Sequence, residues 1–143
     1  MSTLLDGLAA YLVEQSLTLP ANQQLTLGIN LFLGRFPAEA PNACVLLQQY
    51  EGQSPTFTFG DGISVLEAPR IQLLVRGERE DYPGAYDWCY ALRNIIGGVT
   101  KTTEMNGVFV LRLEPQGIPN PTGYDEVDRP KFTVNFQAHI ATP

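Results

Sequence analysis

The residues equipped for chemistry crowd into two short stretches of the chain. One is Glu78-Arg79-Glu80-Asp81, just ahead of Tyr82. The other is Tyr124-Asp125-Glu126 with Asp128 and Arg129, inside Pro115–Phe136, a segment punctuated by Pro115, Gly117, Pro119, Pro121 and Gly123. Carboxylates this close together could hold a hard cation. A calcium loop, however, needs oxygen ligands at alternating positions, a glycine at the turn and a distal Glu. Here the alternating positions are Asp125, Val127 and Arg129, so the pattern fails. The favoured reading is a set of solvated charges, with Arg129 pairing across the turn or across a subunit boundary. The 78–81 group reads as a solvated turn whose acids favour the start of the next helix.

Other chemistry finds little support. His139 is the only histidine, so any Ser-His-Asp or Cys-His arrangement would have to use it. It falls on the polar side of the last strand near the end of the chain, where a surface or edge histidine is the expected reading. One histidine and two distant cysteines, Cys44 and Cys89, do not make a zinc site. The thiols read as small buried hydrophobes in a reducing setting. Gly60-Asp61-Gly62 and Gly97-Gly98 are turns rather than phosphate loops. Among Tyr82, Tyr86, Trp88 and Tyr90, only Trp88 lies on an apolar stripe, which favours core plus a protein interface over an aromatic cage. No catalytic, cofactor-binding or metal residues are assigned.

The 143 residues are read as one domain, 1–143, with 44% hydrophobic and 17% charged residues and a net charge of -6. The average domain carries about 25% charge, so this surface leans toward contact with other protein. A tight nucleic-acid binder shows a basic stripe. With only Lys101 and Lys131 as lysines and the arginines scattered, none is visible. Loose passage of DNA past an acidic surface remains compatible. The opening MSTLLDGLAAYLVEQS lacks the basic start of a signal peptide. No apolar run reaches the roughly 18 residues of a membrane span.

The elements that must position these residues follow from periodicity. Leu4, Leu5, Leu8, Ala9, Leu12 and Val13 predict a helix over Thr3–Ser16 with Thr3 as its cap. Ala85, Trp88, Cys89, Leu92, Ile95 and Ile96 predict a second over Tyr82–Ile96, capped by Asp81 with Pro83 in its first turn. Strands are expected at Leu25–Phe36, Ala43–Tyr50 and Arg70–Arg76. A short edge strand is expected at Thr56–Phe59, after a loop at Glu51–Pro55, and Ile63–Pro69 reads as extended loop. Asn106-Gly107 marks a hairpin, followed by Val108–Leu113 with Phe109, Leu111 and Leu113 facing one side. The last strand is Phe132–Ile140. This order lacks strict βαβ alternation and predicts an α+β fold: a mainly antiparallel β-sheet with two α-helices packed on one face.

Several pieces then match a family in order. They are Leu4–Leu12, Asn30-Leu31-Phe32-Leu33-Gly34-Arg35-Phe36-Pro37, Pro41–Val45, Glu67–Arg76, the helix from Tyr82 to Gly97, Gly123-Tyr124-Asp125-Glu126, Arg129 and Phe132–Phe136. In these the chain resembles the tail terminator (tail-completion), or minor capsid, proteins of tailed bacteriophages. The linker Ser16–Leu25 is longer than the resemblance leads one to expect, and Asp128 stands where a glycine before the arginine is more usual. The resemblance implies a ring, typically a hexamer, at the head-proximal end of the tail tube. Such a ring stops tube polymerisation and offers the head connector, stopper or neck protein a docking surface. DNA passes through its lumen without specific binding. It also implies a virion location at the tail-neck, assembly in the host cytoplasm, no cofactor and no membrane. Arg70, Arg76, Tyr124, Asp125 and Arg129 are expected to contact neighbouring subunits, and the lumen is expected to be acidic. The alternatives are a head-completion or connector-stopper subunit, or a cytoplasmic small-molecule-binding α+β domain. A hydrolase is disfavoured for lack of a nucleophile-base pair.

Overall fold

A computed structural model describes residues 3–57, 65–99, 103–105 and 108–142. Alternation along two strands decides which face of its sheet is buried. In β3 (Val65–Arg76) and β7 (Pro130–Thr142), Ile71, Leu73 and Val75 lie opposite Phe136, Val134 and Phe132 in an antiparallel register. All six are out of solvent. On the other side of β3 runs β2 (Cys44–Phe57), which sets Val45 and Leu47 against Val75 and Leu73. With β1 (Leu31–Leu33), β4 (Thr103–Met105), β5 (Val108–Pro115) and β6 (Asn120–Tyr124), these make a seven-stranded sheet. Its order is β1-β2-β3-β7-β5-β4, and β6 also pairs with β7. Among the strand pairs of the described residues, only β1–β2 is parallel.

Helices α1 (Thr3–Gln15) and α2 (Tyr82–Gly97) bring Leu4, Leu8, Leu12 and Trp88, Leu92, Ile96 into one apolar cluster with the inward strand residues. Both helices therefore cover the same face, and the fold is α+β as the sequence predicts. Asp81 caps α2 as expected, its Oδ1 accepting from the Gly84 N–H at 3.1 Å.

The strand boundaries depart from expectation where a local bond or a register shift overrides the pattern. The strand expected at Leu25–Phe36 shrinks to Leu31–Leu33. Upstream, the Asn30 side chain accepts from the Thr26 N–H at 2.7 Å and donates to the Gln24 carbonyl at 2.8 Å, which curls the backbone into a turn. Conversely, β2 runs straight through the expected loop at Glu51–Pro55, with register shifts between Gln49 and Glu51 and between Gln53 and Thr56. Bulges absorb residues that would otherwise end a strand. Val65–Pro69, expected as loop, is the first part of β3. A shift between Val110 and Arg112 in β5 buries Val110 and Leu113 and leaves Leu111 39% exposed, against the expected alternation. Finally, Asn120–Tyr124 is a strand although it lies in the Pro/Gly-rich segment. It is an edge, where a missing N–H is tolerated, and its register shifts between Pro121 and Gly123. Asn106-Gly107 lies outside the described residues, as do Thr58, Phe59, Ile63 and Ser64. Met105 pairs with Val108 across the expected hairpin.

Candidate assembly surface

Asp125 organises the loop between β6 and β7. Its Oδ1 accepts from the Val127 and Arg129 N–H groups at 3.1 and 3.0 Å, and its Oδ2 accepts from Arg129 Nε at 2.7 Å. The Asp125 N–H donates to the Arg129 carbonyl at 3.1 Å, closing the turn, while Asp128 adopts a left-handed φ of 61°. Burial alone would raise the Asp125 pKa. The bonds from the Arg129 N–H and side chain and from the Val127 N–H, together with the Arg129 charge, outweigh it and hold the carboxyl below its ordinary value.

Arg129 reaches further, donating from Nη1 to Asn42 Oδ1 at 3.1 Å. The Asn42 carbonyl in turn accepts from Arg76 Nε at 3.0 Å, and the Pro41 carbonyl from Arg76 Nη2 at 2.8 Å. The Arg76 guanidinium lies 4.8 Å from the Phe36 ring centroid, a cation–π contact. A polar chain thus runs from Asp125 through Arg129 and Asn42 to Arg76. It clamps the 36–42 segment and the β6–β7 loop to the end of β3. The second charged stretch joins the same end, because the Glu80 N–H donates to the Asp128 carbonyl and the Gly77 N–H to the Pro130 carbonyl, each at 2.9 Å. Both charged stretches of the sequence therefore meet at one end of the sheet. Glu78, Glu80, Asp81, Glu126 and Asp128 are exposed there.

The sheet face away from the helices is rich in amides. Gln48 Nε2 donates to Gln72 Oε1 at 2.6 Å and Gln72 Nε2 to Asn135 Oδ1 at 3.1 Å, a row spanning β2, β3 and β7. Arg70 Nε donates to Gln137 Oε1 at 3.2 Å, and Gln137 Nε2 to the Ala68 carbonyl at 2.7 Å. On β5, Arg112 and Glu114 approach to 3.4 Å, with His139 at 3.9 Å on the other Glu114 oxygen.

Of the five residues singled out from sequence, Arg76, Asp125 and Arg129 come together, and their hydrogen bonds run within the chain. Arg70 stands apart on the amide face, and Tyr124 closes β6 with 52% of its surface exposed. Sequence reasoning missed Asn42 and Phe36 as their partners. Asn42 is 87 positions from Arg129, a separation at which spacing carries no signal. Both cysteines are fully buried. Burial raises the Cys44 thiol, with the Arg76 and Arg129 charges opposing, and pushes Cys89 up to about 12 against a weaker pull from Arg93. Neither thiol carries appreciable thiolate at neutral pH. Among the described residues no three His, Cys, Asp or Glu side chains group to hold a metal ion, and no helix is long and apolar enough to cross a membrane. A polar surface held by hydrogen bonds within the chain, as along Asp125, Arg129, Asn42 and Arg76, suits shape-specific protein contact.

A family model described as bacteriophage tail terminator protein matches residues 18–142. The chain belongs to that family. Among solved structures, a chain from the virion of a native gene transfer agent particle matches with a TM-score of 0.53 at 13% identity, covering 94% of each chain. At that identity the likeness speaks for the fold. No curated protein sequence matches the chain. Family membership makes this tail terminator a structural protein of the phage virion that assembles with other virion proteins. It also favours the tail-terminator reading over a connector-stopper or a small-molecule-binding domain.

Proposed function

We propose that this tail terminator, acting as one domain, forms a ring of six subunits on the head-proximal end of the tail tube. The ring ends tube polymerisation and presents the docking surface for the head connector or neck protein. Assembly takes place in the host cytoplasm, and the ring stays in the tail-neck region of the virion. The family match over residues 18–142 carries the reading. Geometry supports it in a second way. A closed ring needs two different surface patches on each subunit, and the two charged stretches held at one end of the sheet give the chain a distinctive one.

Within this reading Arg70 and Tyr124 touch neighbouring subunits directly. Arg76, Asp125 and Arg129 shape the same boundary by fixing the loop that carries it. The net charge of -6 suits a lumen that DNA crosses without specific binding, since carboxylates repel phosphate. Cryo-electron microscopy of intact virions tests the reading. A six-fold ring of this chain between tube and connector is the expected result. Finding the chain at the distal tail tip or within the capsid shell would overturn it.

A further inference from the structure

The segment Asn30–Pro37 borders an open surface hollow, one wall of which, Phe36, also carries the Arg76 guanidinium. Along β1 and the turn after it, Phe32, Leu33, Arg35, Phe36, Pro37 and Glu39 line an open hollow of about 640 Å³. Its floor is aromatic, with the Phe32 and Phe36 rings edge to face at 6.2 Å. Arg35 is exposed, and among the described residues no carboxylate lies within ion-pair distance of it. β1 is one end of the sheet order. β6 pairs only with β7, and the path β1-β2-β3-β7-β6 separates strands β1 and β6 by about 19 Å at 4.8 Å per strand, although the 36–42 segment reaches back toward the β6–β7 loop through Asn42 and Arg129. There the exposed Tyr124 is followed by Glu126 and Asp128, two exposed carboxylates with no cation partner among the described residues.

The subunit thus offers an aromatic hollow edged by Arg35 and Glu39, neither in an ion pair among the described residues. The β6–β7 loop offers an exposed tyrosine followed by two anions with no cation partner among the described residues. We infer that the hollow beside β1 receives the Tyr124–Asp128 end of a second copy of this chain, with Arg35 facing Glu126 and Asp128. Tyr124 fits such a place because it buries a large ring while its hydroxyl stays within reach of water. Unlike patches make the contact heterologous, repeating in one direction until it closes. The inference rests on the ring reading and adds which surfaces build the ring.

The test uses tails assembled with the double variant Arg35→Cys/Glu126→Cys, oxidised and run on a non-reducing gel. Cys44 and Cys89 are buried and stay silent. A ladder in multiples of the 15.7 kDa chain is expected, absent from either single variant. A second arm needs no disulfide. Arg35→Glu should lower the yield of capped tails about tenfold or more, since like charges would then face each other across the contact. Adding Glu126→Arg and Asp128→Arg should restore most of it. Rings seen by microscopy without a ladder, or Arg35→Cys cross-linking to the tube protein instead, would overturn the inference and leave the ring intact. Wild-type tails with no ring at all would overturn the ring reading itself.

Discussion

Replacing Arg129 with alanine probes the clamp at the end of the sheet most sharply. The substitution removes two bonds from a charged donor, one of 2.7 Å to Asp125 Oδ2 and one of 3.1 Å to Asn42 Oδ1. Asp125 keeps the N–H groups of residues 127 and 129, so its carboxylate is not stranded. The Arg129 and Asp125 side chains are only 18% and 16% exposed, which puts the pair above the surface median of under about 1 kcal/mol. Hydrogen bonds to charged groups contribute about 1.5–3 kcal/mol, so a total loss of about 2–3 kcal/mol is reasonable. At roughly 2.1 cal/mol/K per residue, 143 residues unfold with an entropy near 0.3 kcal/mol/K. The expected fall in Tm is then about 7–10 °C, read by circular dichroism at pH 7.

Acid titration supplies a second readout with a definite sign. The folded pKa of Asp125 is depressed, so its stabilisation is fully present above the unfolded carboxylate pKa of about 3.9 and is lost as pH falls through the lower folded value. Arg129 causes part of that depression. The gap in Tm between wild type and Arg129→Ala should therefore narrow below about pH 4. A variant that melts within about 1 °C of wild type at pH 7, with the same acid slope, would refute the clamp.

Further substitutions test the fold that positions it. A Cβ at Gly77 would sit 2.5 Å from the Ala85 Cβ. Gly77→Ala should therefore cost about 1–3 kcal/mol by denaturant unfolding, with part recovered on adding Ala85→Gly. Asp81→Ala should cost about 1 kcal/mol by removing the α2 cap, seen as a lower urea midpoint. The β5 bulge makes Val110→Asn cost about 3 kcal/mol or more, whereas Leu111→Asn stays within about 0.5 kcal/mol; equal effects in thermal melts would contradict the register.

Helices and central strands were legible because their signals are local and repeated. The stripe Ala85–Trp88–Cys89–Leu92–Ile96, the Asp81 cap, and the alternation through Ile71, Leu73 and Val75 each reappear in the structure. What escaped was set by single events. One register shift in β5 turned Leu111 outward, one Asn30 amide curled a strand into a turn, and pairing with β7 made an edge strand of Pro/Gly-rich sequence. The charged stretches were visible as residue types. Their meeting was not, because it depends on backbone bonds such as Glu80 to Asp128 and on Asn42, none of which composition encodes.

That this chain ends tail-tube growth is tested most directly by tube length. In lysates of phage lacking the chain, electron micrographs should show tubes of broadly scattered length running well past the mature tail. Supplying the wild-type chain should restore one length. Tubes that stop at the mature length without it would contradict the assignment.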